Sequence, residues 1–171
     1  MNSMKKSIPE FGIKRPNEER RDGGCGVVFD PVTQRYAVGK QENGRLRLFA
    51  GGVDSGEDIQ EGVMREITEE SGLYNFLYIE KVAEAYAHYY NGLRNVNRMS
   101  HATCFLVILK STQLVPVKHE KHEHFSLTWA TVEEMKNNWI ARNENKDHDH
   151  WIYFLDKAVA RAKELKFDTT S

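Results

Sequence analysis

The sequence predicts an α+β fold, and three observations carry that prediction. Over residues 51–73 a glycine pair leads into a helix crowded with acid, GGVDSGEDIQEGVMREITEESGL. Short apolar or alternating runs, the pattern of strands, lie on both sides of it. A long amphipathic stretch over residues 148–165 closes the chain. Strands flanking one helix, with further helices gathered toward the C-terminal end, form the α+β pattern.

Each element follows from its residues. Residues 1–22, MNSMKKSIPEFGIKRPNEERRD, are polar and aperiodic, with Pro9 and Pro16. They read as a flexible leader, or an added edge segment, ahead of a single domain over 23–171. Lys5, Lys6, Arg20 and Arg21 could steer an anion, or simply be a solvated tail. Residues 24–29, GCGVVF, are apolar enough for a buried strand, which the turn Asp30-Pro31 ends. Residues 35–38 make the next strand, and 40–44 are polar punctuation. Residues 45–49 alternate as a strand with Leu46 and Leu48 inward and Arg45 and Arg47 on the other face.

The acidic helix is expected over 57–71, with Asp54 or Ser55 as N-cap and Gly72 in the left-handed position after its end. Gly62 inside it costs about 1 kcal/mol against alanine, which points to close packing. Residues 78–90 and 98–109 are two long strands around the turn signal Asn91-Gly92, the second ending in the central run CFLVIL. Beyond Val115-Pro116, residues 119–124 are a charged loop and 125–129 a short strand. Thr131 caps a helix containing Glu133, Glu134 and Met135. The last helix places Trp151, Phe154, Leu155, Ala158, Val159 and Ala162 on one face, with His148 and His150 as its polar start.

Composition narrows the class. A chain of 171 residues suits one domain with a proper core, and 40% apolar and 29% charged residues are those of a soluble globule. A net charge of −1 argues against a nucleic-acid partner. No apolar run nears the roughly 18 residues of a membrane span. The N-terminus lacks a signal-peptide core. Cys25 and Cys104 sit in strand-like apolar runs, so buried free thiols and a cytoplasmic location are expected.

The acid has a chemical meaning. At about 100° per residue, Glu66, Glu69 and Glu70 share an arc of roughly 100°, beside the core-facing stripe Ile59, Val63, Ile67. Carboxylates so gathered repel one another unless a hard cation compensates them, and oxygen ligands suit Mg²⁺, with Mn²⁺ as a substitute. The full spacing, Gly51-x5-Glu57-x7-Arg65-Glu66-Ile67-x-Glu69-Glu70-x-Gly72-Leu73, fills every position of a known pattern. It resembles the complete Nudix box, and the order of elements over roughly residues 22–166 is similar to the Nudix fold.

That resemblance implies a mixed β-sheet between α-helices, with the box as catalytic centre. It implies a hydrolase that cuts a phosphoanhydride in a nucleoside diphosphate derivative, using Mg²⁺. Glu66, Glu69 and Glu70 stand at the metal-ligand positions, joined by the backbone of Ala50. Glu57 supports the site, and Arg65 pairs a box glutamate. The approach Leu48-Phe49-Ala50-Gly51 departs from the Leu-Pro-Gly-Gly common in the family, which bears on Ala50 most. The run His122-Glu123-His124, with Trp129 after it, resembles the loop of animal-type diadenosine tetraphosphate hydrolases, so Glu123 is the candidate base, with Glu120 second. A dinucleoside polyphosphate is therefore the leading substrate class. Nucleoside triphosphates, nucleotide sugars, ADP-ribose and a nucleotide-sensing domain without turnover remain alternatives, and a homodimer is a habit of the family. Tyr86 shares a strand face with His88 and Tyr90 and could stack a base or pack in the core. Arg45, Arg47, Arg94 and Arg98 could meet phosphate or solvent.

Overall fold

The computed structural model describes residues 7–117 and 125–171. In chain order it contains β1 (Glu10–Gly12), β2 (Glu19–Arg20), β3 (Gly23–Asp30), β4 (Arg35–Gln41), β5 (Leu46–Arg47), β6 (Phe49–Gly52), α1 (Ile59–Ser71), β7 (Phe76–Asn91), β8 (Val96–Leu109), β9 (Phe125–Ala130), α2 (Val132–Ala141) and α3 (Asp149–Glu164). The strands join in one mixed nine-stranded sheet, β1-β7-β8-β3-β4-β5, with β2 on β8, β6 on β3 and β9 on β4. The run CFLVIL lies in β8, between β7 and β3, where its backbone is paired on both sides.

Period-two alternation sends neighbouring residues to opposite cores. Val28, Phe49, Phe105 and Val107 meet Val63 and Ile67 of α1 on one face. Val27, Phe29, Leu106 and Ile108 meet Trp139 of α2 and Phe154, Leu155 and Ala158 of α3 on the other. The expected sheet between helices is thus observed. Gly24 and Gly26 of β3 let α1 lie close on the sheet: a Cβ would fall 2.5 Å from Val63 Cγ2 at one and 2.6 Å from Ile67 Cδ1 at the other. Cys25 and Cys104 are register partners on β3 and β8, free and buried, and burial with the Cys25 neighbour pushes the Cys104 thiol well up.

The structure corrects the sequence reading in three places. Of the two readings of the N-terminal segment, residues 10–20 take the added edge segment and not the flexible leader: β1 runs parallel to β7 and β2 parallel to β8, because backbone edges there offer hydrogen bonds. Residues 45–49 are not one strand. The chain crosses at Leu48 from β5, paired with β4, to β6, paired with β3. The helix N-cap is Asp58, which accepts from Glu61 N at 3.2 Å; Asp54 is instead in a turn whose carbonyl accepts from Glu57 N. Gly72 does take the left-handed position, φ 84°. His148 and His150 do stand at the start of the last helix, as read, and are buried against Trp151, His148 edge-on to its ring. Among the described residues no helix is long and apolar enough to cross a membrane.

Candidate active site

Arg65, midway along α1, organises the box. Its Nε and Nη2 donate to the two Glu57 oxygens at 3.0 Å each, while Nη1 reaches Glu66 Oε1 at 3.0 Å and Glu69 Oε2 at 3.1 Å. The planar guanidinium suits this fork where an ammonium would not. The Arg65 hydrogen bonds hold the Glu57 carboxyl below its ordinary range, and the Glu57 bond in turn raises Arg65. Gly62 has its packing reason here: a Cβ would lie 2.9 Å from Glu57 Oε1. Glu57, expected to support the site, is held by Arg65.

The turn of β6 closes on the other side. Gly51 sits against Glu66 so tightly that a Cβ would fall 2.3 Å from the carboxyl carbon. Glu70 is buried, accepting from Ala50 N at 2.9 Å and pairing with Arg47 Nη2 at 3.3 Å. Arg47 lies 4.6 Å over the Phe125 ring. Glu69, by contrast, has a 55% exposed side chain. The helical arc therefore separates into an outward Glu69, an intermediate Glu66 and an inward Glu70. Ala50 joins the group through its N–H.

These donors suit a hard divalent cation: all are carboxylate oxygens, and one guanidinium nitrogen draws Glu66 and Glu69 toward a common point. Among the described residues no three acidic, histidine or cysteine side chains converge closely enough to hold one, and Arg65 and Arg47 pair with the box carboxylates.

The remaining candidates divide. Arg45 turns toward α3, donating to His148 Nε2 at 2.9 Å and lying 4.7 Å over Trp151. Burial, then Arg47, pushes it down to about 10. Burial and Arg45 likewise lower His148 to about 4, and burial with His148 lowers His150 to about 3. Arg45 is thus corrected from an open phosphate contact to a packed group. Tyr86 sits beside His101, ring centroids 5.1 Å apart. Arg98 is 8% exposed, with Glu19 3.9 Å away, so it is walled in rather than lying at a solvated turn. Glu120 and Glu123 lie outside the described residues, although the chain re-enters at Phe125 beside Arg47. The sequence reading gave no role to Tyr89, stacked 6.3 Å from His150, while Arg21, read as steering an anion or lying in a solvated tail, packs against Gly52. Only pairing between strands distant in sequence brings these together. A cavity of about 380 Å³ lined by Asp30, Thr33, Arg35, Thr112, Leu114, Leu127 and Trp129 contains none of the box carboxylates.

A sequence model of the NUDIX domain matches residues 26–153. No curated protein matches the chain. Among solved structures, it is similar to an Ap4A hydrolase of C. elegans in a binary complex, at 16% identity and TM-score 0.57, covering 84% of this chain and 98% of that one. The NUDIX domain of Shewanella oneidensis NrtR, complexed with ADP ribose, shows 15% identity and TM-score 0.57 over 85% and 94%. The MutT protein of Methanosarcina mazei Go1 shows 16% and 0.56 over 87% and 99%. At these identities the likeness speaks for the fold.

Proposed function

The chain belongs to the NUDIX family and is a hydrolase of pyrophosphate bonds, and from that premise we propose that it cleaves a dinucleoside polyphosphate with Mg²⁺. The observation carrying the reaction class is the box as folded, with Arg65 gripping Glu57, Glu66 and Glu69 while Glu70 is tied to Ala50. Glu66, Glu69 and Glu70 would hold the cation, with the Ala50 carbonyl as a further ligand and Mn²⁺ as a substitute. When bound, a divalent cation neutralises charge on the phosphates and lowers the pKa of water. The chain's own contribution is positional. Arg65 orients Glu66 and Glu69, Gly51 leaves room for the Glu66 carboxylate, and buried Glu70 anchors the β6 turn to α1. Glu123 is our candidate for the base that takes the proton from the attacking water, with Glu120 second.

The substrate class rests on the run His122-Glu123-His124 followed by Trp129. Fold likeness reaches an Ap4A hydrolase, an ADP-ribose-binding domain and a MutT protein alike, so it does not choose among them. Arg47 beside Glu70, and Tyr86 on the α1 face, are our candidates for substrate contact. The buried thiols support a cytoplasmic setting. The test is turnover with Mg²⁺ over dinucleoside polyphosphates, nucleoside triphosphates, nucleotide sugars and ADP-ribose, products separated by chromatography. Preference for a dinucleoside polyphosphate is expected. Preference for another member overturns the substrate class, and tight binding without turnover overturns catalysis.

A further inference from the structure

We infer that the N-terminal strap, residues 10–22, forms one wall of the substrate site, and that Arg21 on it binds a phosphate group of the nucleotide beside the box turn. The inference rests on the reading of the box as the reaction centre. The strap lies ahead of the span matched by the family, which begins at residue 26.

The strap is fastened at many points. Glu10 and Glu18 grip the two ring nitrogens of His88, the second at 2.7 Å. Phe11 packs 5.0 Å from the Tyr153 ring, and Arg15 pairs with Asp147 at 3.0 Å. Asn97 Nδ2 donates to Pro16 O at 2.9 Å, and Arg21 N to Met99 O at 3.0 Å. Asp22 accepts from His101 N at 3.0 Å. A segment held at so many places presents its last side chains in a defined position.

What it presents is cationic. Arg20 is occupied by Asp22, at 3.1 and 3.3 Å. Arg21 instead lays its guanidinium over Gly52, where a Cβ would fall 2.3 Å from Nη2. Gly52 follows Gly51 in β6, so Arg21 reaches the box turn on the strand face opposite the one that carries Glu66. Arg98 and Arg21 both act on the Tyr89 hydroxyl, against the burial that raises it. Arg98 Nε is buried and has no hydrogen-bond partner among the described residues. Two guanidinium groups thus act on one tyrosine, with Glu19, 61% exposed, 3.9 Å from Arg98. Excess positive charge beside a phosphate-cleaving centre suits an anion, and guanidinium donors match phosphate oxygens.

The test compares wild type with Arg21→Gln and Arg21→Lys, each first shown by thermal melting to be folded. ADP and inorganic pyrophosphate are titrated without metal by calorimetry, and steady-state kinetics are run on the preferred substrate. Arg21→Gln is expected to raise Kd for ADP and KM by about tenfold or more, with kcat within about twofold. Arg21→Lys should recover part of the loss. A Glu18→Gln variant, which loosens the strap at His88, should shift KM in the same direction. Unchanged Kd and KM in Arg21→Gln overturn the inference even if turnover is normal, and so does a wild type that binds neither probe. Arg21-dependent ADP binding without turnover of any substrate would uphold the strap and overturn the hydrolase reading.

Discussion

At the residue scale the site is held by guanidinium groups more than by carboxylates. Arg65 hydrogen-bonds three acids and Arg47 pairs with another, so the acid-rich helix has its repulsion compensated by named partners. Replacing Arg65 by Lys keeps the charge and loses the fork. It should lower metal affinity or activity by roughly 10–100-fold, as loss of a partner that orients ligands does. Mn²⁺ binding followed by electron paramagnetic resonance, alongside kcat, checks this; wild-type values in both would remove Arg65 from the site. Gly51→Ala must drive Glu66 from its place, since the methyl would fall 2.3 Å from its carboxyl carbon. A loss of similar size is expected there, read by the same titration.

At the scale of elements, α1 carries a conflict that the site resolves. Alanine at position 62 would help the helix by about 1 kcal/mol, but its methyl would meet the Glu57 carboxylate at 2.9 Å. Glu57 ends a flexible side chain, so it should move and leave Arg65 with one partner fewer. Gly62→Ala is therefore expected to melt no lower than wild type while turning over more slowly. An equal or faster kcat would show that the Glu57–Arg65 pair does not support catalysis. In α2, Trp139 is fully buried and donates Nε1 to Leu46 O at 2.8 Å, tying the helix to β5. Trp139→Phe leaves that carbonyl unpaired and should cost about 1–3 kcal/mol, measured by urea unfolding.

At the scale of the whole molecule, buried histidines couple stability to pH. His148 and His150 are lowered to about 4 and about 3 from an ordinary 6.5. The unfolded chain therefore takes up their protons first as pH falls. Their contribution is complete above about 6.5 and is lost on acidification toward 4, by up to roughly 1.4 kcal/mol per pH unit for each. His88 runs the other way. Burial opposes its charge, but Glu10 and Glu18 outweigh it and raise it, so its contribution is present below 6.5 and lost as pH rises through the folded value. Two groups against one make the fold lose stability in acid. Urea midpoints between pH 4.5 and 7.5 should show this, with a flatter slope in His150→Gln. An unchanged slope would mean that His150 binds its proton equally well in the folded and unfolded chain.

The box was legible in the sequence because its residues lie on one turn and one helix, where spacing along the chain is spacing in space. The same locality made the long strands, the Thr131 and Gly72 caps and the closing helix readable. Sequence by itself therefore determined the fold class, the reaction class and the acidic helix at its centre. Tertiary structure alone decided which acid faces outward, because the sheet buries Glu70 and leaves Glu69 in water. It alone turned Arg45 toward His148 and the aperiodic leader into a strap. Those outcomes depend on backbone pairing and burial between residues far apart in the chain, for which a linear sequence carries no period to read.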